Sequence, residues 1–169
     1  MKGVLLKVSD YTDRFINKIG LTISWLTFIM VVLICLDVFL RYLLSSTKTW
    51  IIELEWHLFS ILFLLGLSYT LQHQKHVRVD LFYEKMSKKL RNVIDIFSIL
   101  FFLIPWCLLV IHTSFDYAMN SWSFKETSPQ PNGLPARYII KFFISTGFVL
   151  LLVQGVSSII KIIYVPNED

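Results

Sequence analysis

Apolar residues gather into four runs along the chain, at about 19–40, 50–71, 93–111 and 139–164, with the charged residues collected between them. Each run has close to the ~20 residues an α-helix needs to cross a hydrocarbon core about 30 Å thick. In that core every backbone N–H and C=O must be paired within the segment, which a helix does unaided. The pattern predicts an all-α integral membrane protein with four transmembrane helices, forming a single membrane domain over residues 1–169. The first run is too long for the core of a removable signal peptide and no small-residue cleavage site follows it, so it is expected to stay.

Two shorter stretches are amphipathic. Val4, Val8, Tyr11, Phe15 and Ile19 recur at three or four residues in a polar leader, which predicts a helix lying at the interface or prolonging the first span. Val79, Phe82, Tyr83, Met86 and Leu90 repeat likewise opposite Glu84, Lys85, Lys88, Lys89 and Arg91. That predicts a helix at about 79–91 lying on the headgroup layer. Pro105 removes one backbone hydrogen bond from the third run and predicts a kink at about 101–105.

Charge turns the pattern into a topology. Eleven of the 16 Lys and Arg residues precede the first run, join the second to the third, or end the fourth; Arg41, Lys48, Lys125, Arg137 and Lys141 lie on the other side. Basic residues stay cytoplasmic during insertion, so both termini are expected in the cytoplasm and a loop at about 112–137 outside it. Lys85, Lys88, Lys89 and Arg91 are candidates for contact with anionic lipid headgroups. Membrane lipids rather than nucleic acid therefore account for a pI near 9.1.

The candidate chemistry lies at the rims of the spans. Asp37 and Arg41 are four apart and share a helix face. Glu53 and Glu55 are two apart and point to nearly opposite sides of theirs, so they cannot form a paired-carboxylate site; Glu53, His57 and Ser60 do share a face. Asp37, Arg41, Glu53, Glu55 and His57 are therefore candidates for a polar rim that bonds within the chain or to a partner subunit. No ionisable residue falls in the middle of any run, whereas a coupled carrier normally needs one there. The four histidines lie at different depths, which argues against haem ligation, and no carboxylate or cysteine beside His73 and His76 completes a metal site. Cys35 and Cys107 read as small apolar packers. No catalytic residue, cofactor or metal is expected; a four-helix membrane anchor of a redox enzyme is the alternative. In the outer loop, Trp122, Lys125 and Glu126 precede a turn stiffened by Pro129, Pro131, Gly133 and Pro135. They are candidates for docking a soluble protein; otherwise Pro135 starts the fourth helix and Trp122 anchors in the headgroups.

Several segments resemble one family. Trp50 to Tyr83 contains W-x2-E-L-E-W-H-L-F, then L-G-L-S-Y-T-L, then K-H-V-R-V-D-x-F-Y. Arg41-Tyr42 precedes it; Ser121-Trp122, Glu126-x-Ser128, Gly133-Leu134-Pro135 and Gln154-Gly155 follow. In that order, across four spans, they resemble the small membrane subunit, the Q or DctQ type, of tripartite ATP-independent periplasmic (TRAP) transporters. The usual acidic pair of the second span is Glu-Glu, whereas Leu54 separates the two acids here. This variant resembles the branch associated with 2-oxo and related organic acids. The resemblance implies a non-catalytic subunit of the bacterial inner membrane with no substrate site of its own. It also implies a large membrane subunit that carries the sodium and substrate sites and moves elevator-fashion, with a periplasmic binding protein delivering substrate.

Overall fold

The computed structural model describes residues 2–46, 48–73 and 86–165, and among these residues the regular secondary structure is helix, without a strand. We number the helices α1 (Lys2–Leu43), α2 (Thr49–Gln72), α3 (Lys88–Ser123) and α4 (Tyr138–Tyr164). All four are long and apolar enough to cross a membrane. The end of α1, the start of α2 and the loop at 124–137 lie at one end of the bundle, the loop end. The start of α1 and the end of α4 lie at the other, the termini end.

The leader is no separate element, because α1 is continuous from Lys2. The stretch expected as an interfacial helix at 79–91 is described only from Met86, and Lys85 lies outside the described residues. Ser87 accepts a hydrogen bond from the Leu90 N–H at 3.4 Å and so caps α3. That places Lys88, Lys89 and Arg91 in the opening turns of the third span's own helix.

Pro105 acts as its chemistry dictates. It has no N–H to give, and immediately before it the backbone widens into a π turn over Ile99–Leu103. The Ile104 N–H reaches back five residues to the Ile99 carbonyl. The helix then continues past 112, the expected start of the loop, as far as Ser123, since neither proline nor glycine interrupts 113–123.

The fourth helix is central: it packs on α1, α2 and α3, and α2 also packs on α1. Leu71, Cys107 and Leu151 form the buried core between α2, α3 and α4. Two glycines allow close approach. A Cβ on Gly147 of α4 would meet the Leu64 carbonyl oxygen of α2 at 2.8 Å, and one on Gly20 of α1 would strike the Tyr69 ring of α2. Ser114 and Ser145 join α3 to α4 through their hydroxyls at 2.8 Å.

Candidate functional site

Polar side chains gather at the two ends of the bundle, leaving charge-free stretches between. Lys18 to Asp37, His57 to His73, Asp95 to His112 and Lys141 to Lys161 bound these stretches, which are about 24–30 Å long at 1.5 Å per residue. That matches the hydrocarbon thickness.

At the loop end, Glu53 ties α2 to the 124–137 loop. It is 5% exposed. One carboxylate oxygen accepts from the Ser128 hydroxyl and the other from the Leu134 N–H at 2.6 Å. Gly133 lies against this contact, where a Cβ would collide with the Ser128 side chain. Glu126 ties the loop to the other helices, accepting from Lys141 of α4 and, at 2.7 Å, from the Ser121 hydroxyl of α3. The Lys141 bond, reinforced by Ser121, holds the Glu126 carboxyl below the usual carboxylate range. Lys141 lies 3.8 Å from the Tyr117 ring centre, and the Arg137 guanidinium sits 5.5 Å over Trp56.

The rim residues divide by their contacts. Asp37 is 2% exposed and its Oδ2 takes the Arg41 guanidinium, while Oδ1 is buried without a hydrogen-bond partner. Glu55 lies level with it, six residues into α2 where Asp37 is six residues from the end of α1. Its Oε1 is likewise buried and unpartnered. Glu53 faces the loop instead, as the two-residue spacing requires. His57 bonds the Glu53 carbonyl through Nδ1 at 2.5 Å and stacks on Trp56.

Trp122, Lys125 and Glu126 do not form one surface. Glu126 turns inward to Lys141. Trp122 packs edge-on against Tyr138 at 4.6 Å and, with Lys125, Thr127, Pro135 and Ala136, lines a cleft of about 390 Å³. Lys125 closes α3: its N–H bonds the Trp122 carbonyl, the Glu126 N–H bonds that of Ser121, and its φ is 48°. That is a Schellman ending with lysine where glycine is usual. Ala136, at φ 64°, is the second left-handed residue of the cleft.

The termini end holds a network the sequence did not single out. Asp13 of α1 accepts from Gln154 and Ser157 of α4, both at 3.1 Å, and from Lys161. The Asp13 carbonyl takes the Gln72 amide of α2 at 3.0 Å. Ser9 and Ser157 share a hydroxyl contact at 2.7 Å, and Lys161 reaches Asp10 at 3.3 Å. Ser9 and Asp13 are one helical turn apart, and Gln154, Ser157 and Lys161 recur at three and four. That was the available signal, although it named neither helix as the partner of the other. Among the described residues no three metal-ligating side chains cluster.

A family model described as "Tripartite ATP-independent periplasmic transporters, DctQ component" matches residues 30–164. No curated protein and no solved structure matches the chain.

Proposed function

This chain belongs to the DctQ family of tripartite ATP-independent periplasmic transporters, a transporter component and not an enzyme, and on that premise we propose that it is the stationary small subunit of a sodium-coupled uptake system for organic acids. It lies in the bacterial inner membrane with both termini in the cytoplasm. It holds the scaffold of a large membrane subunit that carries the sodium and substrate sites, and its 124–137 loop helps a periplasmic binding protein to dock.

The observation that supports this reading is the arrangement of charge. Each helix is free of charged residues and histidine over a length close to the hydrocarbon thickness, and the groups at the two ends are bound largely to one another. A carrier that coupled ion and solute movement in its own body would need charged or discontinuous backbone at mid-depth. The π turn at Ile99–Leu103 carries only apolar side chains, two of which, Ile99 and Leu103, lie beside Gly155 of α4. The buried and unpartnered oxygens of Asp37 and Glu55 support a rim role at the loop end.

Reconstitution tests the proposal. The purified chain in liposomes, given an inward sodium gradient and labelled 2-oxo and dicarboxylic acids, should show no uptake; adding the large subunit and the binding protein should produce it. Saturable, sodium-dependent uptake by the chain alone would overturn the scaffold reading.

A further inference from the structure

The third helix carries an exposed polar pair at a depth where its neighbours are apolar. His112 Nδ1 lies 3.2 Å from the Asp116 carboxylate, and the two side chains are 80% and 63% exposed. The contacts of α3 with α4 fix their depth. Ser114 meets Ser145 hydroxyl to hydroxyl, so in these antiparallel helices His112 is level with Gly147. Gly147 in turn abuts Leu64 of α2. Lys141, which closes the apolar stretch of α4, stands six residues from Gly147 toward the loop end. His112 therefore lies about 9 Å inside the level of Lys141, at 1.5 Å per residue.

The membrane boundary cannot be set at His112 for the whole bundle. Inward of that level α4 has fourteen residues before Lys161, and α2 has nine between Leu64 and His73. Those lengths are about 21 Å and 14 Å, against about 30 Å of hydrocarbon. For α2 and α4 the boundary lies further out, and their exposed side chains near this depth, Phe63 and Val149, are apolar. Charge at the loop end of the other helices is also hidden. Asp37, Glu53 and Lys141 are all buried, each against a partner.

The pair on α3 is deeper and yet uncovered. A charged side chain set against acyl tails is costly, so something polar lies over this face. The pair is also the first step of a stripe. His112, Asp116, Asn120 and Ser123 follow at steps of four, four and three, all exposed. Inward of His112 the exposed side chains are Trp106, Leu108 and Leu109. The surface of α3 thus turns from apolar to polar at one place, as at a water boundary. His112 and Asp116 face each other, so water and headgroups are enough to complete their surroundings. From Asp95 to His112 is seventeen residues, about 26 Å. A span shorter than the lipid is accommodated by thinning of the bilayer around it.

We propose that phospholipid headgroups and their water cover the outward face of α3 from His112 to Ser123, so that the leaflet at the loop end dips by about 9 Å beside this one helix. The dip is a property of this chain and stands apart from its role in a transporter.

Thiol accessibility in the chain alone tests it. The full chain, with Thr113→Cys, Phe63→Cys or Trp106→Cys introduced singly, is placed in dioleoylphosphatidylcholine nanodiscs and treated with a charged maleimide. The labelled position is read by mass spectrometry. Thr113 adjoins His112 and Phe63 adjoins Leu64, so the two substitutions share a depth on different helices. Labelling at position 113, and none at 63 or 106, is expected. Silence at 113 would overturn the dip and leave this face to a protein partner. Labelling at 63 as fast as at 113 would overturn its confinement to α3. Bilayer thickness gives a second measurement that needs no thiol. The parent chain should resist heat best in dimyristoleoylphosphatidylcholine and lose that resistance in the long-chain dierucoyl lipid. His112→Leu and Asp116→Leu together lengthen the apolar stretch and should move the optimum toward longer acyl chains. The same chain-length dependence in parent and double variant would count against the proposal as decisively as a silent position 113.

Discussion

A single carboxylate determines how the loop end closes. Glu53 accepts the Ser128 hydroxyl and the Leu134 N–H, and hydrogen bonds to a charged acceptor contribute about 1.5–3 kcal/mol each. Glu53→Ala should therefore lower stability in detergent by about 3 kcal/mol and speed proteolysis within 124–137. Glu53→Gln, which keeps one acceptor oxygen, should lose about half as much. Parental melting in the alanine variant would mean that the loop holds its shape alone. Glu126 supplies a pH dependence whose sign is fixed by its lowered pKa. The folded carboxyl titrates below its ordinary value, so its contribution is complete above about pH 4.5 and fades as the pH falls through the lower folded value. Trp122 emission, reporting the adjacent packing, should hold steady from neutral pH to about 5 and change in stronger acid; Glu126→Gln should abolish that transition. The sequence placed Glu53 at the rim but could not show its partners, which lie 75 and 81 residues away. No periodicity reports on a contact of that separation.

Local pattern specified the helices better than their ends. The four apolar runs all appear as helices, because helix is the only single-segment solution in lipid. The third extends well past its run, since polar residues such as Asn120 and Ser121 stop no helix; the left-handed Lys125 does. Pro105 foretold an irregularity, and the form it takes is the π turn at Ile99–Leu103. Glycine spacing alone did not say which glycines mattered. Gly147 abuts the Leu64 backbone, whereas a Cβ on Gly155 would meet side chains alone, Leu103 at 2.9 Å and Ile99 at 3.4 Å. A side chain can rotate where a carbonyl cannot, so Gly147→Ala should force α2 and α4 apart and cost about 1–3 kcal/mol. Gly155→Ala should cost clearly less. Thermal unfolding of both variants in one detergent checks the contrast, and equal losses would contradict it.

At the scale of the whole molecule, the uneven spread of basic residues yields the most directly testable statement. With the positive side inside, Gln130→Cys should react with a membrane-impermeant thiol reagent in intact cells, while Lys89→Cys should react only after lysis. The reverse pattern would invert the orientation. The arrangement of four spans was legible because membrane burial acts on each segment separately. The centrality of α4 was not. It depends on which polar residues find one another, and Ser9, Asp13, Gln72, Gln154 and Lys161 each resemble ordinary boundary residues until the Asp13 network joins them.

That centrality has a consequence for biogenesis. The strut that satisfies both ends of the bundle is the fourth helix to leave the ribosome. Until it arrives, Asp13 lacks Lys161 and Glu126 lacks Lys141. A nascent chain halted after Arg137 thus holds both acids without the α4 lysines that pair with them in the finished bundle.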